Sequence, residues 1–389
     1  MNKAWRATYF LSAYFFAFGI QLPYFPLWLE EVRGLSGEDI SLVLSGALIG
    51  RIITGPLIAA WADNKSGNVA ALILNLAALF GFGMISQIDH PIGLMFAGFF
   101  ALTLIYAIAP VAEAILLRSA LAAKSPTYTT GRAIASTSFV VGVFLGGWVV
   151  DRWGAVGILP SLLVWYLVSS VIALSLPREA MGSFSGGGFL KRLEKSSIFI
   201  RRPALFFLLI ATGLIQAAHS FYYGFSAIIW KEQAFSGSLV SLFWIVGVLF
   251  EIILFFFAAR LPAWVTPQRL ILAGAIASVV RWGGLGYAPT SIFAIMALQL
   301  LHALTFAATY LGTIRVIERD VPPDDRASVL SVLAAITTGV ITGSIGIIAG
   351  RLYDDFNEKV YWLMAGISAV GVLFAILLMI RVATRPPRN

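Results

Sequence analysis

Apolar runs about as long as a membrane-crossing helix recur from one end of this chain to the other. Twelve can be marked, at approximately 5–29, 40–62, 69–88, 92–117, 132–150, 155–176, 204–229, 238–261, 268–287, 292–314, 327–350 and 360–382. A hydrocarbon layer about 30 Å thick takes roughly 20 helical residues to cross. In lipid each backbone N–H and C=O must be satisfied within the segment, so runs of this kind are read as helices. The predicted fold class is therefore an all-α membrane protein of twelve transmembrane helices. Lys3 and Arg6 stand at the start of the first run as in a signal peptide. That run exceeds the roughly 7–15 apolar residues of a signal sequence and contains Pro23 and Pro26, so it is read as a retained first span.

The charges test the count. Only 12% of residues are charged, against about 25% in soluble domains. With the N-terminus inside, 20 of the 27 basic residues fall on the inner side and 5 on the outer, while Arg51 and Arg281 lie within spans. This asymmetry predicts both termini in the cytoplasm. It also accounts for the net charge of +8 without nucleic acid as a partner. Residues 177–203 form the longest connection, with a Gly/Ser stretch followed by FLKRLEKSSIFIRR. The first part reads as a flexible linker and the second as a short basic helix on the membrane surface. The connection divides the chain into two six-helix bundles, 1–176 and 204–389. GGWVVDRWG and AGRLYDDFN place Asp151 and Asp354 four residues after Gly147 and Gly350, an echo between the halves. Internal repeats are typical of secondary transporters, whose sites lie between the repeats.

Polar groups inside the apolar runs are the candidate functional residues. IQAAHSFYYGFSAIIW carries Gln216, His219, Tyr222 and Tyr223, and GVLFEIILFFFA carries Glu251. Arg51, Glu113, Arg281, Gln299 and His302 lie in other spans. At about 1.5 Å per residue His219 sits roughly 22 Å from the inner surface. Gln216, His219 and Tyr223 follow a helical spacing that places them on one face, as do Trp244, Val248 and Glu251. Two readings stay open for each: hydrogen bonding that fixes helix packing, or a substrate and ion pathway. The in-span carboxylates and guanidiniums could balance as pairs, but the sequence does not name the partners.

There are no cysteines and only three histidines, in different loops or spans, so neither a thiolate nor a multi-histidine metal site is expected. The sequence contains no GxxxxGK[ST] phosphate loop and no GxSxG elbow. An enzyme is therefore not expected, nor a bound cofactor. A proton or sodium gradient is the energy source left, and buried carboxylates and histidines suit protons.

Several stretches together resemble the major facilitator superfamily. They are FGIQLPYFPLWL with RIITGP, QAAHSFYYGFSAIIW, GVLFEIILFFFA, and LLHALTF followed by YLGTIRVI. Within it the chain resembles the proton-symporter-like branch that contains lactose permease and, more closely, the 3-phenylpropionate transporter family. The resemblance covers nearly the whole chain. AAWADNKSG is similar to the superfamily's gating loop, with Asp63 at its aspartate and Asn64 where a basic residue is usual. PVAEA aligns Glu113 with the permease's sugar-binding glutamate, and TGRA aligns Arg132 with the first of its two arginines. The second, which grips the sugar, is Ile134 here. His302 aligns with the coupling histidine, but Gln299 and Thr305 stand where the permease has a lysine and its proton-carrying glutamate. Val248 occupies the position of its span-eight glutamate, with Glu251 one turn on, and Arg281 lies within one residue of its span-nine arginine.

The resemblance implies a monomeric transporter of the inner membrane that works by alternating access. Galactosides are disfavoured by the missing arginine, which leaves proton-coupled symport of a small organic acid such as 3-phenylpropionate. Glu251 is then the expected proton carrier, with Glu113, His219 and His302 along the path. Arg281 would be its counter-charge or the clamp on a substrate carboxylate, a task suited to a permanently charged fork of donors. Gln216, His219, Tyr222, Tyr223, Trp244, Gln299, Glu113 and Arg51 are the other expected substrate contacts. Alternatives are a nucleoside or sugar symporter, an exporter of amphipathic compounds, and a membrane receptor or assembly partner, since a fold does not fix function.

Overall fold

The structure, a computed structural model, describes residues 2–122, 125–178 and 197–383, which contain helices and no strand. The first six long helices are α1 Lys3–Glu31, α2 Gly37–Asp63, α3 Gly67–Gln87, α4 Pro91–Leu121, α5 Tyr128–Trp153 and α6 Ile158–Ala173. Then α7 runs over Pro203–Ala217, breaks at Ala218 and resumes as His219–Glu232. Next come α8, Gly237–Phe257, and α9, Pro267–Leu285. The tenth, α10, starts as Ile292–Leu300, widens to a π-helix over Ala303–Ala308 and ends as Thr309–Asp320. A similar course is followed by α11, through Pro323–Ala334, the π-helical Ala335–Thr342 and Gly343–Phe356. The last is α12, Val360–Ala383.

Several of these helices begin at or before the start of their apolar runs, where a polar residue caps them. Ser36, Thr127, Thr266 and Ser291 each accept a backbone N–H from three residues on, which satisfies a donor the first turn leaves open. Ten stretches among the described residues are long and apolar enough to cross a membrane, fewer than the expected twelve. One of them, Pro323–Val382, is 60 residues long and holds both α11 and α12; the chain turns between them with Asn357 at φ 47°. The other difference is α9, which is not among the ten and carries Gln268, Arg269 and Arg281 within 19 residues. Phe96 and Phe293, 71% and 86% exposed, are examples of the apolar surface such helices turn outward.

The two π-helical stretches have a local cause. Thr309 and Thr342 direct their hydroxyls to carbonyls five residues back, Leu304 O at 3.3 Å and Thr337 O at 2.8 Å. Such side-chain bonds compete with the ordinary ladder and accompany its widening. In α10 the wide turn follows His302, beside the polar cluster described below.

The helices gather into two compact units. The first is built on α1–α6 and includes Tyr223–Leu242; the second comprises the start of α7, through Tyr222, and the chain from Phe243 onward. In the first unit α1 is the central helix and packs on α4, α5 and α6. It comes so close to α5 that a Cβ at Gly19 would collide with Phe139 O, and one at Gly142 with Phe16 O. In the second, α7, α9, α10, α11 and α12 share a core that includes Leu208, Ile215, Ile271, Val316, Val329 and Leu378. Most of the linker and surface helix expected over 177–203 lies outside the described residues.

The Gly147–Asp151 echo has a structural role within the first unit. A Cβ at Gly147 would collide with Gly237 O and Ser241 Oγ at the start of α8. One turn on, the Asp151 carboxylate accepts from the Gly237 N–H at 2.5 Å, the Ser238 N–H at 2.8 Å and the Ser238 hydroxyl at 2.5 Å. An aspartate of α5 thus caps α8 from outside, where the helix dipole also favours its charge. The Tyr24 hydroxyl closes the same junction, 3.0 Å from Gly237 O and 2.6 Å from Ser241 Oγ. Replacing a cap of this kind typically costs about 1 kcal/mol. Asp151→Ala is expected to lose that much in denaturation of the detergent-solubilised protein, and Asp151→Asn less. An unchanged midpoint for Asp151→Ala would show that these bonds add nothing.

Candidate functional site

A buried arginine organises the second unit. Arg281 on α9 is 0% exposed. A guanidinium only donates, so each partner must accept. Nη1 donates to His302 Nδ1 at 2.9 Å and to Thr305 Oγ1 at 3.2 Å, and Nη2 donates to Gln299 Oε1 at 2.7 Å. All three acceptors come from α10, where the π-helical segment begins just after His302. Aromatic rings also lie against the Arg281 guanidinium. Its Cζ lies 4.7 Å from the Tyr222 ring centre and 4.5 Å from that of Trp282, and Trp244 stacks on Tyr222 at 4.7 Å. Cation–π contacts strengthen when water is excluded.

These bonds set the histidine tautomers. His302 Nδ1 accepts from Arg281, so its proton sits on Nε2. That nitrogen lies 3.4 Å from Glu251 Oε2, and the Glu251 side chain is 21% exposed. On His219 the assignment reverses. Its Nδ1 lies 3.0 Å from the Ile215 carbonyl, which only accepts, so Nδ1 donates and Nε2 takes a bond from the Thr305 hydroxyl at 3.0 Å. One connected path results: Glu251, His302, Arg281, Thr305, His219, Ile215. With both histidines neutral, one cation and one carboxylate balance, which lets charges persist in a poorly polarisable interior. Gln299, 0% exposed, has an amide nitrogen with no hydrogen-bond partner among the described residues.

The structure therefore brings together Glu251, His302, His219, Arg281, Gln299, Tyr222 and Trp244 of the residues expected from sequence. Thr305, noted from sequence only where the permease has its proton-carrying glutamate, joins them, as does Trp282, which did not stand out among so many apolar side chains. Gln216 is half-buried and makes no side-chain hydrogen bond among the described residues. Tyr223 belongs to the first unit. Asp63 is the last residue of α2, and its side chain lies outside what is described.

Glu113 and Arg51 lie in the first unit. The expected balance of in-span charges takes a different form there. Glu113 pairs with Arg132, Oε1 to Nε at 3.1 Å, both side chains a little over a third exposed. Arg132 had been counted among the inner-side charges, yet it lies inside α5, a turn past its cap. Arg51 is exposed near the middle of α2 and has no ion pair among the described residues. No group of three His, Cys, Asp or Glu able to hold a metal ion occurs among the described residues.

Membrane-long helices with a buried polar path, together with the family match and relative that follow, define the class: a multi-pass membrane transporter of the major facilitator type. The chain belongs to the MFS_1 like family, whose model matches residues 4–364. It is 29% identical over 377 residues to a protein of Escherichia coli (strain K12) described as a probable 3-phenylpropionic acid transporter, covering 94% of each chain. It is 26% identical over 397 residues to a maltose permease of Geobacillus stearothermophilus, covering 98% of this chain and 97% of the relative. Its fold matches the crystal structure of the nucleoside transporter NupG with a TM-score of 0.82 at 14% identity, covering 97% of this chain and 99% of that one.

Proposed function

We propose that the protein is a proton-coupled symporter of the inner membrane that carries a small aromatic carboxylate, such as 3-phenylpropionate, by alternating access of its two halves, 1–176 and 204–389. The observation that carries this reading is the Glu251–His302–Arg281 chain at 3.4 and 2.9 Å. Glu251 is its only carboxylate and its most exposed member, and so the place for a proton to enter and leave. While Glu251 is ionised the chain is neutral. Adding a proton there leaves the Arg281 charge unbalanced and favours a carboxylate as the next ion to bind. Coupling of this kind is reciprocal: the anion then raises the affinity for the proton by the same factor.

Of the two tasks sequence reading left to Arg281, the geometry favours counter-charge. Both its terminal nitrogens are engaged within the chain and two aromatic rings lie against it, so a substrate clamp would first have to break that shell. His302 then links carrier to counter-charge, and His219 with Thr305 completes the path. The aromatic-acid reading is supported by the Escherichia coli relative, which spans nearly the whole chain. A sugar reading is favoured by two relatives described as sugar transporters, and Ile134 in place of the sugar-gripping arginine argues against it.

The test is uptake by proteoliposomes holding the purified protein, with a pH gradient acid outside. Aromatic acids cross lipid in their neutral form, so the readout is the saturable initial rate above that of protein-free vesicles. Saturable uptake of 3-phenylpropionate that an uncoupler collapses is the expected outcome. Gradient-driven uptake of maltose or a nucleoside, with none of the acid, would overturn the substrate class.

A further inference from the structure

A line of three hydrogen bonds runs from the polar cluster back into α12. The Trp282 indole N–H donates to Ser278 Oγ at 2.7 Å, one turn earlier in α9. Ser278 Oγ lies 2.8 Å from Ser368 Oγ of α12. The Ser368 hydroxyl donates to Met364 O at 2.8 Å. A hydroxyl has one proton to give. Ser368 directs its own to the carbonyl, so Ser278 is the donor between the two serines. The line therefore has a single direction, from indole to backbone. Trp282, Ser278 and Ser368 are all fully buried, where an unmatched polar group is costly.

The indole end of the line bears on the buried charge. Trp282 follows Arg281 in the sequence, and consecutive helical residues point about 100° apart around the axis. Bonding back to Ser278 turns the indole along the helix, and its ring lies 4.5 Å from Arg281 Cζ. The same ring meets His219 edge-on at 5.0 Å, lies 5.8 Å from Tyr222 and stacks on Tyr361 at 5.9 Å. Arg281 is a long side chain with several rotatable bonds, and its acceptors His302, Thr305 and Gln299 all lie on α10. A ring held in place beside the guanidinium leaves it fewer positions away from those acceptors.

We propose that Ser278 is a positioning residue for the counter-charge of the proton site. It anchors the Trp282 indole, Ser368 orients the anchoring hydroxyl, and the anchored ring keeps Arg281 on its α10 acceptors. The assignment rests on the symporter reading above and extends it to a pair of residues outside the Glu251–Arg281 chain. Hydroxyl pairs between membrane helices often do no more than fix packing. The two roles differ in what alanine does. For packing alone the serines are equivalent, since either alanine breaks the same bond between α9 and α12. For positioning they are not. Ser278→Ala removes the oxygen that holds the indole. Ser368→Ala leaves that oxygen in place, and the Ser278 proton can turn to a carbonyl of its own helix, as serines in helices do.

The experiment follows labelled 3-phenylpropionate in proteoliposomes holding the full-length protein. It reads the saturable uptake rate with and without a pH gradient acid outside, and the rate of exchange against internal substrate. Melting in detergent is measured beside them. Ser278→Ala is expected to lose most of the gradient stimulation seen in wild type while exchange persists. Ser368→Ala is expected to keep the stimulation. Ser278→Ala leaves an indole N–H unmatched, so a second variant covers its failure to fold. Ser278→Ala with Trp282→Phe removes acceptor and donor together, which relieves that penalty. The double variant is expected to be less destabilised than the sum of the single losses and still to lack the stimulation, because a phenyl ring without the bond no longer holds Arg281. A double variant that fails to fold, or whose loss equals that sum, breaks the link between Trp282 and Ser278 and overturns the assignment. So does a double variant that recovers the stimulation, full stimulation in Ser278→Ala, or an equal loss in Ser368→Ala. Each of these leaves the symporter reading standing. A wild type whose uptake the gradient does not stimulate overturns both.

Discussion

Arg281→Gln is expected to be the most damaging single substitution in the chain. Breaking a buried charge network by removing one partner typically costs about 3–5 kcal/mol, because the other groups stay buried without their match. Three acceptors lose their donor at once: His302 Nδ1, Thr305 Oγ1 and Gln299 Oε1. Tyr222 and Trp282 lose the cation that lies between their rings and the chain. Glu251 loses its counter-charge. The melting temperature in detergent should fall sharply and transport should vanish. Arg281→Lys should rescue little, since an ammonium cannot reproduce a planar fork that serves three acceptors while it lies against two rings. The charge account is separable from simple packing. If Glu251 and Arg281 are coupled, the double variant Glu251→Gln with Arg281→Gln should be less destabilised than the sum of the single losses, by about 0.5–3 kcal/mol. Strict additivity would break the link between them.

Much of the fold could be read from the sequence because lipid demands long apolar helices, and the twelve predicted runs coincide with α1–α12 to within a few residues at most ends. What escaped reading was set by hydrogen bonds rather than by hydropathy. The break at Ala218 and the π-helices of α10 and α11 carry the same apolar residues as a regular helix. Only threonine hydroxyls reaching five residues back give them away. The hydropathy of α9 is diluted by Gln268, Arg269 and Arg281, the last of which centres the buried polar cluster.

The candidate site was legible as a set of residues and not as a set of partners. Gln299, His302 and Thr305 share one stretch of α10, so their meeting one cation follows from helical spacing once that cation is known. Nothing in one sequence says that it is Arg281, or that Glu251 reaches it through His302. The pairing of Arg132 with Glu113 escaped for another reason. Arg132 stands near the start of α5, where a basic residue passes for an inner-side charge, and only the fold brings Glu113 to it. Asp151 was noticed as an echo of Asp354, but capping α8 across 86 residues of chain leaves no local trace.

Glu251→Gln carries the second large effect and bears on the central claim, that this carboxylate carries the coupled proton. Glutamine keeps the size of the side chain and can still meet His302, but it can neither take up nor release a proton near neutral pH. The variant should fold, bind substrate and exchange labelled for unlabelled substrate across the membrane, because exchange moves no net proton. It should gain nothing from a gradient. The decisive measurement is the saturable initial rate of 3-phenylpropionate uptake into proteoliposomes, with and without a pH gradient acid outside, for wild type and Glu251→Gln side by side. The account predicts a wild-type rate that rises several-fold with the gradient and a variant rate that does not change, with exchange intact in both. A Glu251→Gln protein that the gradient stimulates as strongly as wild type would contradict it.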